Sequence, residues 1–162
     1  MKIKLYFASV LLMGFMFNTS AIADEESKNW LAVHTSEMAK MTSPTTLVMS
    51  GAREVFAFTD RPNREYNYLN VHEFVSLWVG AEDGGFKSTP PNAVITWVQE
   101  GKLNEAEVIL SDAKAISFGR EIEFSIELLT GSIPTGAELQ NVSMFIDGWS
   151  IHMNPECLAD CH

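Results

Sequence analysis

The sequence predicts a mainly β protein, an antiparallel β-sandwich that is immunoglobulin-like or barrel-like, with one short inserted helix. About seven or eight short segments alternate apolar with polar residues and are separated by turn residues, as strands of such domains are. Only one segment carries a clear helix signature. A parallel α/β fold would need more helices than this chain offers.

The N-terminal residues have the pattern of a targeting segment. Lys2 and Lys4 precede an uncharged apolar stretch over residues 5–17, and the small-residue run Ala21-Ile22-Ala23 follows. The apolar stretch is shorter than the roughly 20 residues that a membrane-spanning helix needs. We therefore expect residues 1–23 to be a signal peptide, and the protein to be periplasmic or secreted with no stable membrane insertion after cleavage.

Residues 24–44 are expected to form an N-terminal arm or a short helix. Trp30, Val33, Met38 and Met41 recur at roughly helical spacing there, but no strong cap precedes them. Residues 45–153 are expected to form the sandwich domain, which is large enough to bury its own core.

The domain is expected to begin with two short strands, over residues 45–50 and 53–58, on either side of Gly51. Phe56 and Phe58 share one face of the second strand, because side chains two apart in a strand point the same way. The segment "FTDRPNREYNY" follows, and its proline argues against the strand continuing through it.

The helix is predicted over residues 71–79. Asn70 is a good N-cap, and Glu73 stands three residues later, where a capping-box partner belongs. Gly80 is placed to end the helix in the left-handed conformation.

Strands are expected to fill the rest of the domain. "NAVITWVQ" has apolar residues on both faces, which indicates a central strand buried on both sides. "EAEVILS" and "AKAISF" follow at short spacing, and "EIEFSIEL" has the cleanest alternation of the chain. "NVSMFIDG" and "WSIHM" are the last two candidate strands.

Four segments of the chain form a recognisable set. They are "FAFTDRPNRE", the helix "VHEFVSLWVG", the strand start "PPNAVI" and the late "SMFID". Together they resemble a group of exported bacterial proteins with no established activity. The resemblance covers residues 51–148. It implies a single compact extracytoplasmic domain and no catalytic residues.

The charge of the chain narrows the choice of partners. A formal net charge of −10 argues against nucleic acid and against anionic membranes. No hydrolase, metalloprotease or nucleotide-binding motif occurs, so no catalytic residues are assigned. The sequence favours a binding or interaction module for a protein or a small-molecule ligand.

The turn that contains Asp60, Arg61 and Arg64 supplies the candidate contacts. In one interpretation an arginine faces a ligand, with its charge fixed by Asp60. In the other, Asp60 shapes the turn and an arginine pairs with a nearby carboxylate, since Asp and Pro favour turns for backbone reasons. The aromatic residues Trp97, Tyr66, Tyr68 and Trp149 are further candidate contacts where they are exposed.

Residues 154–162 form a tail with the two cysteines of the chain, Cys157 and Cys161. A short disulfide is the main prediction, because the count is even and the compartment oxidising. The alternative is a zinc- or copper-handling protein whose ligands are His152, Cys157, Cys161 and His162. Haem is disfavoured, since three residues rather than two separate the cysteines and the domain is predicted to be β. The main prediction therefore includes no cofactor.

Overall fold

The computed structural model describes residues 28–51, 53–79 and 85–150, with only the backbone described at 149 and 150. These residues form a mainly β domain in which every strand pairing given below is antiparallel, which confirms the predicted class. The elements in chain order are β1 (Asn29–Ser43), β2 (Thr46–Ser50), β3 (Val55–Thr59), β4 (Tyr66–Leu69), α1 (Val71–Ser76), β5 (Asn92–Gln99), β6 (Lys102–Ile116), β7 (Glu121–Gly131) and β8 (Glu138–Ser150).

The sheet closes on itself in a barrel-like ring. Its strands are ordered β2-β7-β6-β5-β8-β1-β3-β4, and β2 also pairs with β1. Six strands therefore form the ring, while β3 and β4 extend from it. Strand β1 joins both parts, because its first half pairs with β3 and its second half with β2.

The core fills the inside of this ring and continues beneath the helix. Fully buried side chains come from the inward face of several ring strands, among them Trp97, Phe124 and Met144. Helix α1 adds Phe74, and the turn after it adds Trp78, whose indole N–H donates to the Leu110 carbonyl at 3.2 Å. A buried tryptophan with its N–H satisfied keeps the apolar contact without leaving a donor unpaired.

The expected arm or short helix over residues 24–44 is wrong for Asn29–Ser43, which form the long strand β1. Burial alternates with period two at its start, with Trp30, Ala32, His34 and Ser36 inside. The helical interpretation counted only the large apolar residues. It missed the alternation because small and polar side chains occupy the inward positions. The sheet accordingly includes this segment and does not begin at residue 45.

The predicted helix start is confirmed. Asn70 Oδ1 accepts from the backbone N–H of His72 at 2.9 Å and of Glu73 at 3.1 Å, while Asn70 N–H donates to Glu73 Oε2 at 2.8 Å. The helix ends at Ser76, earlier than predicted, and residues 77–79 form a turn. Gly80 lies outside the described residues. No helix in the described ranges is long and apolar enough to cross a membrane.

Two predicted interruptions between strands are absent, and one strand was not predicted. "EAEVILS" and the first four residues of "AKAISF" belong to the single strand β6, whereas Ser117 and Phe118 lie in the 3-10 turn that follows it. "NVSMFIDG" runs into "WS" within β8. Strand β4 follows Pro62 closely and pairs with β3. Strand β3 ends before Pro62, as expected, but the six residues 60–65 turn the chain back into a hairpin.

Candidate functional site

The turn between β3 and β4 is closed by one hydrogen bond between backbone groups and one from the backbone to a side chain. Thr59 N–H donates to the Glu65 carbonyl at 2.9 Å, and Glu65 N–H donates to Thr59 Oγ1 at 2.8 Å. Asp60 Oδ1 accepts from Arg61 N–H at 2.6 Å. The carboxylate of Asp60 therefore shapes the turn, as the structural interpretation of this motif predicts.

The same interpretation also expected an arginine of the turn to pair with a nearby carboxylate, and the described structure shows no such pair. Arg61 and Arg64 are exposed, and neither forms an ion pair within the described part of the chain. Glu65, the other acid that lines the same pocket, pairs with Lys28 at 2.7 Å. Among the described residues, no carboxylate pairs with these two guanidinium groups, so an acceptor from another molecule could meet them.

Four aromatic rings stand beside the arginines on the hairpin. Phe56 pairs with Tyr68, and Phe58 pairs with Tyr66. The ring centroids of Phe56 and Phe58 are 5.5 Å apart, those of Phe56 and Tyr68 are 5.2 Å apart, and Tyr66 meets Tyr68 edge-on at 6.4 Å. Tyr66 is 70% exposed and Tyr68 55% exposed. Phe56 and Phe58 do share one face, as predicted, and it is the outer face of the sheet.

Rings and turn together line an open groove of about 480 Å³, here called the β3–β4 groove. Its lining combines aromatic with charged side chains. The lining residues are Phe56, Phe58, Thr59, Asp60, Arg61, Arg64, Glu65 and Tyr66. The structure thus brings Asp60, Arg61 and Arg64 into one site, together with Tyr66.

A line of apolar side chains, here called the outer row, runs from this hairpin across the sheet. Its members are consecutive cross-strand partners on β4, β3, β1, β8 and β5: Tyr68, Phe56, Val33, Phe145 and Val94. Directly paired residues point to the same face. Five neighbouring strands span about 19 Å at the usual strand spacing. Phe145, the fourth member, is 46% exposed.

The edge of the sheet at β4 is partly closed to further pairing. Because the Glu65 carbonyl bonds to β3, strand alternation directs the backbone groups of Tyr66 and Tyr68 outward. The outward N–H of Tyr68 already donates to Asn67 Oδ1 at 2.9 Å. The strand has four residues. A short edge with an occupied donor is a poor template for strand addition.

Trp97 does not belong to the site. It is 2% exposed and lies on the inward face of β5, where its indole N–H donates to Gln99 Oε1 at 3.4 Å. A strand with two apolar faces does not reveal from its own pattern which face is inside. The sequence therefore could not exclude Trp97 as a contact, and its burial does. The side chain of Trp149 lies outside the described residues.

The predicted features of the tail also lie outside the described residues. The Cys157–Cys161 disulfide and the alternative metal site, which adds His152 and His162, stay predictions. In the described ranges, no three His, Cys, Asp or Glu side chains gather in a way that could hold a metal ion.

The sequence did not reveal the burial of His34, the one ionisable side chain among the buried polar residues of the described chain. Neither ring nitrogen has a hydrogen-bond partner in the described structure, and the Phe124 ring centroid lies 6.4 Å away. Burial lowers the pKa of His34 to about 4, and a contact with the Ser50 backbone opposes this shift only in part. Recognising the alternation of β1 would have placed this residue inside.

The chain was compared with protein-family models, with curated proteins and with solved structures, and none of the three comparisons gave a match. The β3–β4 groove and the outer row are therefore the features of the molecule that bear on its function.

Proposed function

We propose that this protein is a non-enzymatic, exported binding module that holds a protein partner on the β3–β4 groove and the outer row. The observation that carries the proposal is the exposed aromatic hairpin beside two arginines without ion-pair partners in the described chain. Tyrosine, phenylalanine and arginine are enriched at protein interfaces. Contiguous exposed apolar surface commonly marks such interfaces.

The extent of the surface favours a protein over a small molecule. Binding sites for small molecules are usually concave and enclose most of their ligand. The β3–β4 groove is open, and the outer row continues past it to Phe145 and Val94 on two further strands. A flat surface of this kind is better suited to the broad contact area of a protein interface.

The export part of the proposal is supported by the N-terminal pattern of residues 1–23 alone. Under the proposal the module works in the periplasm or outside the cell. The acidic composition is compatible with that role, since net charge keeps an exported protein soluble.

Site-specific photocrosslinking tests the proposal in the native cells. Tyr66 is replaced by p-benzoylphenylalanine, which keeps an aromatic ring at the exposed position of the groove. Phe118, which is 99% exposed in the turn between β6 and β7, receives the same substitution as the matched control. We expect one discrete protein adduct from position 66 and none of that size from position 118.

Three outcomes would contradict the proposal. They are equal adducts from both positions, no adduct from position 66, and an adduct that protease does not digest. An adduct with twice the mass of the chain would show instead that a second copy occupies the surface, and would contradict a separate partner.

A further inference from the structure

We infer that the partner contacts the β3–β4 groove with a segment that combines carboxylate and apolar side chains, the carboxylates pairing with Arg61 and Arg64. This inference rests on the proposed function and adds the chemistry of the partner to it. It follows from which charges of the groove already have partners and which do not.

Both carboxylates of the groove already have donors. Asp60 Oδ1 accepts the Arg61 backbone N–H at 2.6 Å, and Glu65 Oε1 is 2.7 Å from the ammonium of Lys28. The guanidinium groups of Arg61 and Arg64 have no acceptor in the described structure. Within the described structure, charge complementarity at this surface is therefore left to acceptors that a partner would bring.

Because the rest of the chain is acidic, the preference for an acidic partner segment is confined to the β3–β4 groove. The whole chain has a net charge of −10, so a uniformly basic partner would be drawn to many other parts of its surface. An acidic segment meets repulsion over most of the molecule and attraction at the groove. Such a pattern fixes where and in which orientation the partner docks, which is the usual contribution of interfacial charges.

Arginine is suited to this form of recognition. Its planar guanidinium can donate two parallel hydrogen bonds to one carboxylate, and it also stacks on aromatic rings. Both arginines line the same groove as the rings of Phe58 and Tyr66. A carboxylate bound here would lie next to an aromatic surface on which an apolar neighbour in the partner can pack.

Side chains rather than backbone provide the contacts. The outward N–H of Tyr68 is occupied by Asn67, so the segment gains little by adding a strand to the edge of β4. It is expected to lie over the outer face, with apolar groups on the outer row and acidic groups toward the turn between β3 and β4.

A peptide array tests this chemistry with defined probes. Three series of 12-residue peptides carry the same varied apolar positions and differ only in the remaining positions, which are Glu, Lys or Gln. The labelled full chain is applied to all three. We expect the Glu series to bind about tenfold more strongly than the Lys series, with the Gln series between them.

Two double variants and one control sharpen the result. Arg61→Glu with Arg64→Glu should reverse the preference toward the Lys series, and Arg61→Gln with Arg64→Gln should reduce the preference without reversing it. The matched control is Arg53→Glu, which changes an exposed arginine near the other end of β3 and should keep the preference. Unchanged melting temperatures establish that the variants are folded.

The inference is overturned when the Glu series binds no better than the Lys series, when no series binds, or when the preference survives the double reversal. These results are separable from the crosslinking test. A protein adduct from position 66 without an acidic preference leaves the binding module standing and removes only the acidic segment. Absence of that adduct removes the module itself.

Discussion

His34 is enclosed in the barrel-like ring without a hydrogen-bond partner in the described structure, so its protonation is linked to folding. In the unfolded chain the imidazole titrates near its ordinary pKa of 6.5, whereas burial lowers the folded pKa to about 4. Between these two values only the unfolded chain binds the proton. Stability must therefore fall as the pH falls through this window.

We expect the free energy of unfolding to decrease between pH 6.5 and pH 4 by about 3 kcal/mol in total through His34, at about 1.4 kcal/mol per pH unit. Above pH 6.5 the residue is neutral in both states and contributes no slope. Urea unfolding of the wild-type chain and of His34→Leu at several pH values measures the effect. The leucine variant should lose this part of the slope.

His72→Gln is the control, because it removes an exposed histidine on α1. It should keep the part of the slope that His34→Leu loses. A His34→Leu variant with the same slope as the wild type would show that His34 is not the buried titrating group.

At the scale of elements, helix α1 depends on the capping box at its N-terminus. The Asn70 side chain accepts hydrogen bonds from two backbone N–H groups of the first turn, and the Glu73 carboxylate accepts one from the Asn70 backbone N–H. The helix brings the fully buried Phe74 into the core. Loss of the cap therefore affects the packing above the ring as well as the short helix itself.

We expect Asn70→Ala to lower the free energy of unfolding by about 1 kcal/mol, the usual cost of removing an N-cap side chain. Asn70→Asp should stay close to the wild type, because its carboxylate can accept the same two bonds. Chemical denaturation of the three chains at neutral pH compares them. Equal stability of the alanine and aspartate variants would contradict the role of the cap.

The elements also show why some features could be predicted and others could not. The helix start was predictable because Asn70 and Glu73 interact three residues apart. Strand β1 was hidden because His34 and Ser36 occupy inward positions that a strand pattern usually reserves for apolar residues. Only its pairing with β8, which is distant in sequence, places those two side chains inside.

The candidate site also has features that could be predicted from the sequence and features that could not. The turn chemistry of Asp60 and its neighbours could be predicted locally, and so could the shared face of Phe56 and Phe58. Which face of β3 is outside depends on its pairing with β1, so the aromatic groove could not be inferred. For the same reason the burial of Trp97 was not predictable.

At the scale of the whole molecule, β1 holds the sheet together. It pairs with β8 along most of its length, with β3 over its first half and with β2 over its second half. Without it, the six-stranded ring opens, and the hairpin of β3 and β4 loses the one strand that joins it to the sheet. Several inward side chains, including Ala39 and Met41, would leave the core as well.

A chain that begins at Pro44 should therefore fail to fold cooperatively, whereas a chain that begins at Lys28 should unfold in one sharp transition. The expectation follows from the exposed edges and lost core packing that removal of β1 would create, both of which destabilise a domain of this size. Thermal unfolding followed by near-ultraviolet circular dichroism distinguishes the two chains. A cooperative transition in the chain that begins at Pro44 would mean that β1 is a dispensable arm and that the ring does not need it for closure.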